Sequence, residues 1–320
     1  MPLIAGELTQ IPCSGADRES AHLDNGWVAL GHDVNLVGDV AVRSGGAVNR
    51  GALRPMGTAA GQSNMRHMEL EEDGARNRLY WDQKSGEYQA AHGDQLGRHP
   101  LAWGVWSISE DQLHVLGDVR AKDVLELGCG GAQWSIALVK RGARCVGLDS
   151  SARQLEHARR NQQKAGVDFP LVHASAESIP FPDCSFDIVF CDHGAMSYAD
   201  PFRCVPEAAR LLRPGGLLAF SAETPLHFIC WDEDTDSLGT TLKERYFDRR
   251  RADNGSSVCF SLPYGEWIAL FRRCGFLIES LTELRPPQGA TTSYNDFVTF
   301  EWADSWPAEQ IWRVRRLSAV

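Results

Sequence analysis

Glu126, Gly128, Gly130 and Ala132 occupy alternate positions in the run Val124-Leu125-Glu126-Leu127-Gly128-Cys129-Gly130-Gly131-Ala132-Gln133. An apolar stretch carries an acidic residue, reaches two glycines spaced one apart, and leads into an expected helix. A second apolar run, Cys145-Val146-Gly147-Leu148, ends in Asp149, 19 residues after Gly130. Glycine removes the Cβ where backbone must approach a ligand. A carboxylate closing the second strand is placed to accept hydrogen bonds from both hydroxyls of a ribose. The pattern is the first half of a nucleotide-binding α/β sheet. A dinucleotide fingerprint, G-x-G-x-x-G/A, would put its third small residue at position 133, where Gln133 stands. Glu126, two residues before Gly128, suits a cationic ligand and would repel a pyrophosphate.

S-adenosylmethionine carries an ammonium and a sulfonium and no phosphate. Glu126-x-Gly128-x-Gly130-x-Ala132 resembles the first motif, E/D-x-G-x-G-x-G, of the class I S-adenosylmethionine-dependent methyltransferases, with alanine at the third glycine position. Ser175-Ala176-Glu177-Ser178-Ile179-Pro180-Phe181 resembles the segment D-A-E-x-L-P-F after the third strand, with Ser175 replacing the usual aspartate. Phe186 to Asp192 resembles the fourth strand, and Leu211-Leu212-Arg213-Pro214-Gly215-Gly216 the turn before the fifth. With Tyr80-Trp81-Asp82 and Tyr246-Phe247-Asp248-Arg249, the pattern looks like the small-molecule, type 11 branch, over roughly residues 78–318. The resemblance implies a Rossmann-like, doubly wound α/β fold. Its seven strands run in the order 3-2-1-4-5-7-6, the last antiparallel, with helices on both faces. It also implies S-adenosylmethionine as cofactor, held by Tyr88, Trp106, Glu126, Gly128, Cys129, Gly130, Asp149, Ser150, Gln154, Ala176, Glu177 and Asp192. Asp149 could instead cap the following helix, but Ser151 is better placed for that.

Methyl transfer from a sulfonium needs orientation above all, and a base only when the nucleophile carries a proton. His193 is the candidate catalytic base, because it follows the fourth strand, where donor and acceptor meet in this fold. An ordinary imidazole pKa of about 6.5 suits that role. The competing reading is a histidine that only orders its loop. His193, Glu223 and His227 are candidates for the acceptor pocket, and His92 is a further possibility. The expected reaction is methylation of a small organic acceptor, at oxygen, with nitrogen and carbon left open. A non-catalytic, cofactor-sensing protein of the same fold is the alternative. A dinucleotide oxidoreductase is disfavoured by Gln133 and Glu126.

Composition bounds the partners. The chain has 32 basic and 42 acidic residues in 320, a net charge of -10, which argues against a general nucleic-acid binder. Its nine cysteines show no C-x-x-C pair, no cluster has metal-ligand spacing, and no apolar run has membrane length, so a cytoplasmic protein is expected. Residues 1–64 are rich in glycine and lack a sustained apolar period. They are expected to be disordered, or an extension ahead of an internal start at Met65 or Met68. Residues 65–122 read as a helical cap, with a helix over 76–93 and a capping box from Ser109 opening a helix that ends at Gly117. Residues 123–320 read as the catalytic domain. Its strands are expected at 123–127, 144–148, 170–174, 186–191, 217–221, 276–282 and 296–302. Helices are expected at 132–141, 151–165, 202–212 and 264–274, and an acceptor lid at 223–262.

Overall fold

The computed structural model describes residues 59–248 and 250–318, with side chains from residue 72 onward. The described residues from His67 onward form one compact unit. The expectation for residues 1–64 lies outside the described residues, except that helix α1 (Ala59–Arg98) already covers the last six of them.

Seven strands make one sheet: β1 (Asp123–Leu127), β2 (Arg144–Asp149), β3 (Leu171–His173), β4 (Phe186–Asp192), β5 (Leu212–Glu223), β6 (Phe276–Glu283) and β7 (Glu309–Arg316). Their order is 3-2-1-4-5-7-6, as expected. The first five are parallel, and β7 runs antiparallel to both β5 and β6. Strands covered on both faces read as continuous apolar runs, and β1 is buried throughout. Successive side chains alternate between two cores. Val124, Ile188, Phe190, Leu217 and Ala219 face one core; Leu125, Leu127, Val189, Leu218 and Phe220 face the other.

Helices α2 (Gln133–Lys140), α3 (Ala152–Ala165), α4 (Pro201–Leu211) and α5 (Tyr264–Arg273) cover the sheet. Each boundary has a local cause. Ser151 Oγ accepts from Gln154 N at 3.1 Å and starts α3, and Gly166, left-handed at φ 65°, ends it. Asp200 caps α4 by accepting from Phe202 N, with Pro201 at the first helical position.

Register then sets the site. Leu127 pairs with Leu148, Asp149 with His173, and Asp192 with Ser221. Because β7 is antiparallel, its first residue, Glu309, pairs with Glu223 at the end of β5. Five carboxyl-terminal strand ends and one amino-terminal end therefore lie along the same edge.

Two expectations need correction. The strand expected at 296–302 is instead a short helix, Phe300–Ser305, and the last strand lies at 309–316. Thr299 Oγ1 accepts from Trp302 N at 3.3 Å and caps that helix, which the alternation of Val298, Phe300 and Trp302 conceals. Arg313, Arg315 and Arg316 belong to β7. Arg313 and Arg315 pair with Glu279 of β6. The helix after Ser109 is a single turn, Glu110–Leu113, stopped by left-handed His114. Beyond it the chain wraps around the Glu110 carboxylate, which accepts from Leu116 N at 2.7 Å and Trp103 Nε1 at 2.7 Å. Residues 223–262 also hold a helix, Pro225–Cys230, and two short hairpins, pairing 231–232 with 237–238 and 251–253 with 258–260. Among the described residues no helix is long and apolar enough to cross a membrane.

Candidate cofactor and acceptor site

The glycine loop after β1 is held open by its backbone. Gly128 N and Cys129 N donate to Leu148 O at 2.8 and 2.9 Å. Gly128 is left-handed at φ 72°, and a Cβ there would lie 2.5 Å from Ala195 N. No side chain fits between this loop and the one after β4. Gly130 N donates to Asp149 Oδ2 at 2.8 Å, and Ser151 N to Asp149 Oδ1 at 2.8 Å. Asp149 is thereby locked between the glycine turn and the start of α3. Burial pushes its carboxyl up to about 6, and the two amides oppose that rise.

Beside this loop lies a cavity of about 430 Å³. Its wall includes Tyr88, Glu126, Gly128, Cys129, Gly130, Asp149, Ser150, Gln154, Ala176, Glu177, Asp192 and His193, all singled out from the sequence. Glu126 is almost fully buried, accepts from Ser135 Oγ at 2.5 Å and Ser135 N at 3.1 Å, and is pushed up to about 8 by burial. Asp192 accepts from Gly104 N, Ser221 Oγ and Trp134 Nε1. Glu177 is tied to Arg203 at 3.0 Å and accepts from Asp200 N. Gln154 accepts from Gln89 Nε2 at 3.1 Å, so it meets α1 as well as the cavity.

Four expected residues are elsewhere. Trp106 is buried with its ring edge-on to Phe300 and is absent from the wall. Glu223 and His227 lie behind His193. Glu223 accepts from Ser197 Oγ at 2.9 Å, and His227 stacks on Phe297 at 4.5 Å. Burial pushes the His227 imidazole down. His92 stacks on Tyr294 at 3.9 Å, also off the wall.

Other wall residues come from α1. Asn77, Arg78, Trp81, Tyr88 and Gln89 share the face that covers the cavity. Asn77 is fixed by Tyr198 O, Val258 O and Val258 N. Asp82 accepts from Ser151 Oγ at 2.7 Å, which ties α1 to the start of α3. Trp81 and Tyr88, seven apart, are a helical-face signal present in the sequence. Trp134 and Tyr198 carry no comparable signal.

His193 sits in a left-handed turn at φ 48°, and its Nε2 donates to Glu309 Oε1 at 2.6 Å. Its Nδ1 is 3.9 Å from Glu223 Oε1. Burial by itself would push the imidazole down. The bond and charge of Glu309, with the charges of Glu223 and Asp192, overcome this and raise it to about 9. The expectation of an ordinary imidazole therefore fails. The cause is Glu309, the first residue of the strand at 309–316, which the expected strand at 296–302 does not contain.

Residues 125–220 match the family profile described as a methyltransferase domain. The sheet order agrees with it. Residues 125–220 are a methyltransferase domain of the type 11 family. The methyltransferase domain is similar to 27-O-demethylrifamycin SV methyltransferase of Amycolatopsis mediterranei, 36% identical over 141 residues, or 39% of this chain and 52% of that one. It is 30% identical to the ubiquinone biosynthesis O-methyltransferase of Stutzerimonas stutzeri over 161 residues, 50% of this chain and 64% of that one. The chain thus spans between half and two thirds of the length of these two relatives. A solved S-adenosylmethionine-dependent methyltransferase from Mesorhizobium loti shares the fold. Its TM-score is 0.54 at 22% identity, covering 67% of this chain and all of that one.

The cofactor of this methyltransferase domain is S-adenosylmethionine, and the cavity suits it. The two glycines leave a cradle without Cβ atoms, and the desolvated carboxyls of Glu126 and Asp149 would gain from cationic and hydroxyl partners. Among the described residues no cluster of three or more metal-ligating side chains occurs.

Proposed function

We propose that this chain transfers a methyl group from S-adenosylmethionine to an oxygen of a small organic acceptor. The observation that carries this reading is the position of His193, on the cavity wall beside the glycine loop and gripped by Glu309 at 2.6 Å. Two relatives bear names of O-methylating enzymes, which supports oxygen as the acceptor atom.

When bound, S-adenosylmethionine supplies an electrophilic methyl group on a good leaving group. This chain's residues do the rest. Gly128 and Gly130 admit the cofactor, Asp149 takes the ribose hydroxyls, and Glu126 accepts from the ammonium. Trp81 and Tyr88 on α1 cover the site and exclude water. Orientation of this kind can supply about 7–11 kcal/mol. His193 takes the proton of an acceptor hydroxyl, which requires the neutral ring. With its pKa raised to about 9, the neutral ring is the minority form at neutral pH. The kcat/KM for S-adenosylmethionine, which reports the groups of the free protein, should therefore rise with pH until about 9.

The test is transfer of labelled methyl from S-adenosylmethionine to a panel of hydroxylated small molecules. His193→Ala should slow an active pair by roughly 10²–10⁴-fold with cofactor affinity nearly intact. A loss under tenfold would leave His193 as a wall residue. Cofactor binding without turnover across the panel would favour the cofactor-sensing alternative.

A further inference from the structure

His193 lies among carboxylates. Glu309 is 2.6 Å from Nε2, Glu223 is 3.9 Å from Nδ1, and Asp192, its neighbour on β4, lines the cavity with it. His227, on the helix after β5, and Phe297 pack nearby. The cavity wall also holds Glu126 and Asp149. Glu309 is 1% exposed, accepts from Val105 N at 2.8 Å, and leaves its second oxygen buried without a hydrogen-bond partner. That carboxylate cannot turn to water to compensate a change at His193. Any positive charge entering the cavity competes with the imidazolium for the same carboxylates.

We propose that the His193–Glu309 pair holds a proton in the free protein and releases it when the sulfonium-bearing cofactor enters, so that the base forms only in the donor-loaded site. This rests on the cofactor reading above. The free pair's raised pKa, about 9, agrees with it. At an effective dielectric of about 20, a unit charge about 9 Å away lowers proton affinity roughly twentyfold. S-adenosylhomocysteine has the same ammonium, carboxylate and ribose but a neutral thioether. The two ligands therefore act alike on Glu126 and Asp149 through those shared groups. They differ by the sulfonium charge, which acts on every titrating group of the cavity, His193, Glu126 and Asp149 among them.

The experiment is calorimetric titration of the full chain with each ligand at about pH 8, in buffers of low and high ionisation enthalpy, which counts protons. S-adenosylmethionine should release on the order of half a proton more than S-adenosylhomocysteine. In His193→Asn, a residue that tolerates the left-handed turn, the difference should fall to the smaller part that Glu126 and Asp149 supply. It should fall likewise in Glu309→Gln, which removes the partner that holds the proton on the imidazole. Equal proton counts in the wild type, or a difference undiminished in His193→Asn, would overturn the proposal while leaving cofactor binding in place. Absence of binding heat for either ligand would overturn both it and the cofactor reading. A histidine NMR titration of the free protein placing His193 at an ordinary value would overturn the proposal alone.

Discussion

Asp149 binds the glycine turn with one oxygen and the start of α3 with the other, so it shapes the site before any ligand arrives. Asp149→Ala should therefore reduce affinity for S-adenosylmethionine by at least tenfold, since hydrogen bonds to a charged group contribute about 1.5–3 kcal/mol each. Calorimetry on the folded variant showing unchanged affinity would remove Asp149 from the ribose site. Glu126 makes a sharper case. Burial raises it to about 8, so at neutral pH the free protein carries it mostly protonated. A neutral amide should replace it at little cost in folding. Glu126→Gln should melt within a few degrees of the wild type and still bind the cofactor at least tenfold more weakly, because the ammonium loses its carboxylate. A large loss of stability with unchanged affinity would mean that Glu126 only braces Ser135.

α1 reaches the cavity through a series of polar ties, and Asn77 is the most committed of them. It bonds two carbonyls and an amide of other elements while 3% exposed. Asn77→Ala would leave those groups buried and unpaired, at about 1–3 kcal/mol. The loss should appear first as faster amide exchange in α1 and faster cofactor dissociation. Exchange in β1 and β4 should stay unchanged, and uniform acceleration throughout would contradict a cover that opens by itself. Elements bounded by local chemistry were legible: Ser151 and Gly166 mark α3, and the apolar run 123–127 marks β1. The cavity wall was legible where loops end strands, because fold topology fixes those positions. The histidine's environment was not. β7 begins with Glu309 and carries three arginines that neutralise Glu279 and bond backbone carbonyls, so its charge pattern reads as surface. Trp106, an aromatic expected over the cofactor, packs on Phe300 because residues 284–300 cross a part of the molecule that no local signal locates.

For the molecule as a whole, titration has a definite sign. Glu126 is raised from 4.5 to about 8, Asp149 from 3.8 to about 6, and His193 from 6.5 to about 9. Each binds its proton more tightly when folded, so each contribution is complete below the unfolded value and lost as pH rises through the folded one. His193 alone amounts to on the order of 3 kcal/mol lost between 6.5 and about 9. Glu207, held below its usual range by Arg210, acts in the opposite sense in acid. The free protein should thus melt highest on the acid side of neutrality, and cofactor should raise the melting temperature most at alkaline pH. A flat melting profile from pH 6 to about 9 would contradict the buried proton sites. The described contacts that dock α1 begin at Asp73, so a chain beginning at Met65 should melt and bind cofactor like the full one. Loss of folding in the shortened chain would show that the earlier residues support this unit.

The contact between the loops after β1 and β4 has a consequence for how such a sequence can diverge. A Cβ on Gly128 would strike Ala195 N, and one on Gly194 would fall 2.6 Å from Leu127 O. Neither residue can be exchanged first and its partner later, since every single-step path crosses a clash between main chains. The two loops are therefore inherited together, with the cofactor seat and the histidine as one cassette. Freedom to explore new acceptors is left to α1 and the segments beyond β5. A library that randomises those covers and spares Gly128 and Gly194 should retain far more folded members than one that does the reverse.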